Sequence, residues 1–349
     1  MKILGIETSC DETAAAVVEN GRKILSSVVS TSLLLHDKTG GVIPEVAARE
    51  QVKCMIPVLN ATMQQCNNAT MNDIDAIAVT VGPGLIGSLL VGVETAKTLS
   101  FLYKKPLIPI NHIFAHVYAN WLKSGSDLQG SKGLTPSFPA IGLVVSGGHT
   151  ELFFLKNHRN WKWIGGTLDD ASGEAFDKTA RLLGLGYPGG PAIAAAAAKF
   201  DPDSIGTKFE IRLPRPMMDS KDFNFSFSGL KTAVIREVKR LKEMHELTNA
   251  KMQELAYEIQ EAITDVLVRK TFDAAKKYNV KSILLGGGVA ANKRLKEKLL
   301  VHRSSFIVKV PSANLCTDNA AVIASMAYFH HKPLSWEKVQ AEPNLSVEV

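Results

Sequence analysis

The sequence predicts an α/β protein of two related lobes, each a mixed sheet covered by helices, around a central cleft. Three observations lead there. Continuous apolar runs alternate with amphipathic stretches along most of the 349 residues. The order strand, strand, strand, helix, strand, helix, strand occurs twice. Glycine-rich turns fall at strand ends: Val81-Gly82-Pro83-Gly84, Ser146-Gly147-Gly148-His149-Thr150 and Gly286-Gly287-Gly288-Val289-Ala290-Ala291-Asn292. Glycine there lets a ligand approach backbone N–H groups, and neither of the last two is a Walker A loop or GxGxxG.

The elements follow from alternation, apolar runs and Gly/Pro punctuation. Residues 2–8, 13–19 and 22–30 read as strands, followed by a helix over 44–65. A buried strand over 74–81, a helix over 87–103 and a short strand over 107–110 close the first half. The second half restarts with strands over 140–145, 151–155 and 161–165, then helices over 172–183, 229–240 and 252–278. A strand over 282–285, a helix over 290–300, a strand over 306–310 and a helix over 318–328 complete it. The Gly/Ser/Pro-bearing stretch 122–139 reads as a surface loop. The irregular stretch 201–228 is too long for an idle connection and is expected to cover part of the cleft. The first lobe is placed at 1–111, completed by a C-terminal helix over about 325–349, and the second at 112–324.

Composition bounds the function. Forty-six per cent hydrophobic and 21 per cent charged residues describe an ordinary folded enzyme, not a disordered chain. The formal charge of +6 permits a polyanionic partner without demanding one. Cys10, Cys54, Cys66 and Cys316 form no CxxC, which points to a reducing compartment. No apolar run reaches the roughly twenty residues that span a bilayer, so no membrane role is expected. Met1-Lys2 leads directly into a strand, so a cytoplasmic location is expected, with a mitochondrial one as the alternative if a targeting segment was removed.

One constellation carries chemistry. His112 and His116, four residues apart, project from one face of a helix, and Asp318 stands where a helix start is expected and a short acid commonly caps. Two imidazoles and a carboxylate can hold a divalent metal with open positions. Asp169 and Asp170 read as caps of the helix that follows them. Asp177, beyond the reach of the helix dipole, is the better ligand candidate. The segment Gly5-Ile6-Glu7-Thr8-Ser9-Cys10-Asp11-Glu12-Thr13 puts hydroxyls and carboxylates in the first hairpin turn.

These motifs, with Gly40-Gly41-Val42-Ile43-Pro44-Glu45, Gly173-Glu174-Ala175-Phe176-Asp177-Lys178, Tyr187-Pro188-Gly189-Gly190-Pro191, Phe225-Ser226-Phe227-Ser228-Gly229-Leu230-Lys231-Thr232 and Cys316-Thr317-Asp318-Asn319, occur in order in one family. The chain closely resembles the tRNA threonylcarbamoyltransferases, the TsaD family, the glycoprotease-like branch of the actin, sugar-kinase and Hsp70 fold. The resemblance implies two actin-like, ribonuclease H-like (ASKHA) lobes around a central nucleotide cleft, the second lobe carrying the metal and adenylate site. It implies transfer of the threonylcarbamoyl group from threonylcarbamoyl-AMP to the exocyclic amine of the adenosine 3′ of the anticodon, in tRNAs reading ANN codons. His112, His116 and Asp318 would bind the metal, iron as Fe2+ with Zn2+ as the alternative. Val144, Val145, Ser146, Gly147, Gly148, Asp177, Gly190 and Asn292 would hold the adenylate. Asp11 is placed, on position alone, as the base for the attacking amine. The implied partners are tRNA, TsaB- and TsaE-like accessory subunits, and a second copy of the chain in a homodimer.

Two positions depart from the family pattern. Ala194 stands where many relatives carry a substrate-contacting aspartate, and Gln51 where they carry a histidine after Arg49-Glu50. Rival readings are a kinase or ATPase of the same fold, a metalloprotease, and a non-catalytic tRNA-binding subunit. Against the protease, Ile113 occupies the place of a zincin's general-base glutamate.

Overall fold

The computed structural model describes residues 1–349 except 33–34, 36–40, 124–134, 203–209, 302–303 and 348–349. Two five-stranded mixed sheets form its frame. In the first, β1 (Lys2–Glu7), β2 (Glu12–Glu19), β3 (Lys23–Thr31), β4 (Ala76–Gly82) and β5 (Leu107–Asn111) lie in the order β3-β2-β1-β4-β5. The second contains β6 (Ala140–Val145), β7 (Thr150–Asn157), β8 (Asn160–Gly166), β9 (Ser282–Gly286) and β10 (Ile307–Lys309), in the order β10-β9-β6-β7-β8. Each sheet has its first strand central, the hairpin strands on one side and the parallel crossover strands on the other. The repeat read in the sequence is thus a repeat of topology.

Burial explains which strand goes where. Strands β4, β6 and β9 are buried along their whole length, as continuous apolar runs require when helices cover both faces. By contrast β3, at a sheet edge, alternates exposed and covered positions. Helix α1 (Pro44–Gln65) and helix α2 (Ile86–Tyr103) cover the first sheet and share its core with Leu4, Ile6, Val79, Val93 and Ala96. On β1, a Cβ at Gly5 would sit 2.3 Å from the Ala320 carbonyl oxygen, so glycine is what permits a helix backbone to lie directly on the strand.

The helices that follow are the short α3 (His112–Val117), α4 (Ser172–Leu182), α5 (Gly189–Ala197), α6 (Ser228–Glu243), α7 (Asn249–Lys277) and α8 (Lys293–Leu300). Then come the single turn α9 (Ala313–Cys316) and α10 (Ala320–Phe329). The expected helix over 290–300 is broken: a 3-10 turn covers Gly288–Ala291 and α8 starts only after Asn292, whose side chain accepts from Leu295 N at 3.0 Å. Helix α5 has no counterpart among the elements expected from sequence. Within the 201–228 stretch, residues 210–213 lie along α7, where Glu254 accepts from the backbone N–H groups of Glu210 and Ile211, and Glu258 from that of Leu213, while Phe225 bridges to Thr167 just past β8. Most of the expected loop over 122–139 falls outside the described residues.

By contacts the chain forms two compact units, residues 1–136 with 156–161 and 311–349, and residues 137–155 with 162–310. Residues 112–136 and 311–324 therefore group with the first unit, because β5 runs straight into α3 and α3 packs on α10. The C-terminal helix expected to about residue 349 ends at Phe329. Pro333 and Pro343 oppose helical backbone there. The tail instead pairs Leu334 with Leu107 and passes the end of β4, where Glu342 N donates to the Val81 carbonyl at 2.6 Å.

An aromatic cluster in the first unit ties the segment 156–161 to α10. The Tyr118 hydroxyl lies 2.7 Å from His330 Nε2 and 3.3 Å from His158 Nδ1, and His158 stacks on Phe329 with ring centroids 4.0 Å apart. Burial, joined by the Arg22 charge, pushes His158 down to about 4. Burial, with His158, Lys332 and Arg159 nearby, does the same to His330. A histidine depressed in the fold from 6.5 contributes stability that is complete above pH 6.5 and is lost as pH falls toward 4. Thermal melts should therefore show Tm falling across this window, less steeply in His158→Phe. An equally steep fall in that variant would contradict the assignment.

Candidate active site

The first unit brings His112, His116 and Asp318 together through two local devices. Asn111 ends β5 and caps α3, its Oδ1 accepting from Ile113 N at 2.9 Å and Phe114 N at 3.2 Å. The helix therefore starts at His112, and a turn later His116 places its Nε2 3.2 Å from His112 Nε2. At the other end of the chain Asn319, not Asp318, caps α10, accepting from Ala321 N and Val322 N. The expected helix start at 318 is thus two residues early. Asp318 stands just outside the helix with Oδ1 3.3 Å from His116 Nε2 and 3.7 Å from His112 Nε2.

The surroundings of the pair favour a cation. Two imidazole nitrogens facing each other beside a carboxylate oxygen repel unless a proton or metal ion lies among them, and the three donor atoms lie within 4.8 Å of one another. Burial opposes a charge on His112, yet Asp318 and Glu7 outweigh it and raise the imidazole to about 9. Glu7 is itself buried, but His112 holds its carboxyl below the usual range. Neighbouring Glu12 shows the reverse: burial, with Asp318, Asp11 and Glu7 close by, pushes its carboxyl up to about 10. A pocket that protonates one acid and charges one imidazole is short of positive charge. The donor set fits a divalent metal.

The turn carrying Asp11 is held rigidly by its backbone. The carbonyl of Ser9 accepts from Leu85 N at 2.8 Å, and that of Asp11 from Ser32 N and Oγ. The Gln51 amide donates to the carbonyls of both Cys10 (3.0 Å) and Glu12 (2.9 Å), and Ser88 Oγ also donates to Cys10. Gln51, marked in the sequence only as a missing histidine, is a clamp on this turn. Asp11 is half-buried at its tip beside the Glu12 carboxyl.

In the second unit Val144 to Gly148 stand at the carboxyl end of β6 and Asn292 follows the 3-10 turn after β9, the strand ends where ligands bind in open α/β sheets, whereas Asp177 and Gly190 lie on helices. Val144 and Val145 are buried in β6, and the turn after it closes through Ser146 N to the His149 carbonyl at 2.8 Å. A Cβ at Gly147, Gly148 or Gly190 would meet nothing within 4 Å, so these three border open space. Asp177 on α4 accepts from Gly189 N at 2.7 Å and so caps α5, while burial raises its carboxyl above the ordinary range. Asn292 caps α8 and donates to Gln260 Oε1 at 3.1 Å, so its amide is committed within the protein apart from one N–H. Ala194 lies within α5.

Asp169 does not cap the helix that follows it. Its carboxylate accepts from Ser226 Oγ, Ser228 Oγ, Phe227 N and Ser228 N, and so caps α6. Asp170 meets Lys178 at 2.7 Å and Lys231 at 3.5 Å. Sequence reasoning left Glu7 and Glu12 without roles, because nothing in their spacing reveals partners such as Thr80 and His112.

Residues 23–325 match the family described as TsaD, tRNA N6-adenosine threonylcarbamoyltransferase. Proteins of that name from Persephonella marina (47% identical, 95% of this chain and 91% of the relative) and Thermosipho melanesiensis (48%, 99% and 100%) align almost end to end. The Bacillus subtilis protein of the same name is 47% identical over 93% of this chain and 89% of its own length. Among solved structures, T. kodakarensis HypF superposes with a TM-score of 0.60 at 14% identity, over 94% of this chain and 48% of HypF. The Clostridium difficile activator of 2-hydroxyisocaproyl-CoA dehydratase does so at 0.51 and 13% identity, over 95% of each chain. At such identities these two show the fold alone.

Proposed function

Since the chain belongs to the TsaD family, the tRNA N6-adenosine threonylcarbamoyltransferases, we propose that it draws the threonylcarbamoyl group from threonylcarbamoyl-AMP and delivers it to the adenosine 3′ of the anticodon in tRNAs reading ANN codons. The chain is a transferase of the family's class. The convergence of His112, His116 and Asp318 supports a metal-dependent version of that chemistry. Iron as Fe2+ is the assigned ion, with Zn2+ as the alternative.

The chemistry asks little covalent work of the protein. The donor is a mixed anhydride: the adenosine amine attacks the carbamoyl carbon, the carbon–oxygen bond to phosphate breaks, AMP leaves with the electron pair, and the amine surrenders a proton. Asp11 is the assigned acceptor of that proton, on a turn whose carbonyls are tied by Leu85, Gln51, Ser88 and Ser32. Val144, Val145, Ser146, Gly147, Gly148, Asp177, Gly190 and Asn292 are assigned to the adenylate; the open space beside Gly147, Gly148 and Gly190 supports that reading. His112, His116 and Asp318 would hold the metal, which supplies Lewis acidity toward the charge that develops on the donor. Holding amine and carbonyl in register is the remaining contribution. TsaB- and TsaE-like accessory subunits, a homodimer and a cytoplasmic setting, with a mitochondrial one as the alternative, complete the proposal.

The test is an incubation with threonylcarbamoyl-AMP and unmodified tRNA reading an ANN codon, followed by nucleoside mass analysis. Threonylcarbamoyladenosine is expected, either from the chain alone or once the accessory subunits are added. No product with the subunits present, against a control relative that works, would overturn the donor and acceptor assignments.

A further inference from the structure

Glu7 lies at the end of β1, buried, 1% exposed, and its carboxylate meets three partners. Oε1 accepts from Ser9 N at 2.6 Å. Oε2 accepts from Thr80 Oγ1 at 2.5 Å and faces His112 Nδ1 at 3.0 Å. Ser9 Oγ also approaches that nitrogen, at 3.2 Å, but a hydroxyl can donate or accept there whereas an ionised carboxylate can only accept. Once the ring is neutral, as a metal ligand must be, the carboxylate therefore decides which nitrogen of His112 keeps its hydrogen.

We propose that Glu7 is a positioning residue: by accepting from His112 Nδ1–H it fixes the ring's orientation and tautomer, so that the Nε2 lone pair points at the metal site shared with His116 and Asp318. The inference rests on the reading of those three residues as metal ligands, and it adds a fourth residue that touches no metal itself. No corresponding carboxylate serves His116, whose Nδ1 is buried with no hydrogen-bond partner among the described residues. Control of tautomer in this site is thus concentrated on His112.

Glu7→Gln keeps the shape and reverses the logic. The Ser9 N–H must still meet an acceptor, so the glutamine oxygen stays where Oε1 was and its NH2 takes the place of Oε2. Thr80 can turn its hydroxyl to accept. His112 Nδ1, now facing a donor, must accept as well, which moves the ring hydrogen to Nε2 and covers the ligand lone pair.

The experiment is a Co2+ titration of the metal-free full chain, followed by visible absorption, for wild type, Glu7→Gln and Thr80→Val. Wild type should bind one Co2+ per chain, Glu7→Gln about 10- to 100-fold more weakly, and Thr80→Val, which removes a neighbouring donor and leaves the tautomer alone, within a few-fold of wild type. Melting of the metal-free proteins checks that each is folded. Equal affinity in wild type and Glu7→Gln overturns the inference, and so does an equal loss in Thr80→Val, which would mean that disturbance of the buried network is enough. No Co2+ uptake by wild type would instead remove the metal reading itself. A second measurement needs no variant: in Zn2+-loaded wild type, nitrogen-15 histidine spectra should show His112 bearing hydrogen on Nδ1. Hydrogen on Nε2 would overturn the proposal.

Discussion

Asp318→Ala is expected to abolish metal binding and threonylcarbamoyl transfer together, with the transfer rate falling roughly 10³-fold, the order of effect when several kcal/mol of transition-state charge stabilisation disappear. Without Asp318 the two imidazole nitrogens, 3.2 Å apart, lose the one carboxylate of the donor set, and with it the negative charge that balances a dication. The fold should tolerate the change. Asp318 is 21% exposed at its side chain, lies outside α10 and does not cap it; Asn319 does. Removing it also takes away the largest of the neighbouring charges that press on Glu12. Metal content by mass spectrometry and single-turnover transfer should fall in parallel while Tm holds. A variant that lacks metal yet transfers at the wild-type rate would sink the role assigned to the ion.

Gly287→Ala should act by a different route, through the fold. Gly287 has φ +87, and a Cβ there would stand 2.3 Å from the Val145 carbonyl oxygen and 2.7 Å from its carbon. Both obstacles are backbone, so no side chain can rotate away. The parallel pairing of β6 with β9 ends just there, at Val144 opposite Gly286, and would have to open. Strained backbone costs about 1–3 kcal/mol by itself, and overpacking adds a similar amount. Poor expression, or a Tm lower by several degrees with adenylate binding lost, is expected. Gly288→Ala is the control, because its Cβ would meet nothing within 4 Å and the fold should not notice it. Native stability in Gly287→Ala would show that the strands can separate at little cost.

Much of the frame was legible because burial on two faces leaves a plain mark. Apolar runs located β4, β6 and β9, and the expected helix over 44–65 and strand over 140–145 match α1 and β6 at both ends. The repeated element order anticipated two sheets with the same strand order. What failed did so for local reasons. Helix α5 starts at Gly189 directly after Pro188 and contains Pro191, signals that read as a break when only neighbours are considered, whereas Asp177 caps it from another helix. The expected helix over 290–300 ran through Asn292 because a cap within an apolar-periodic stretch looks like an ordinary polar position.

The site divides in the same way. Legible along the chain were the candidate ligands and the frame: His112 and His116 one helical turn apart, Asp318 close before a helix, glycine-rich turns at strand ends. Those are consequences of helical and strand periodicity, which act between residues a few positions apart. Long-range packing alone brings Glu7 to Thr80 and His112, 73 and 105 residues away, sets Gln51 as a clamp on the turn bearing Asp11, and lets Asp169 cap α6 from 57 or more residues away. Hydrogen bonds and charges act through space, and which distant groups come within 3 Å depends on how the strands and helices pack.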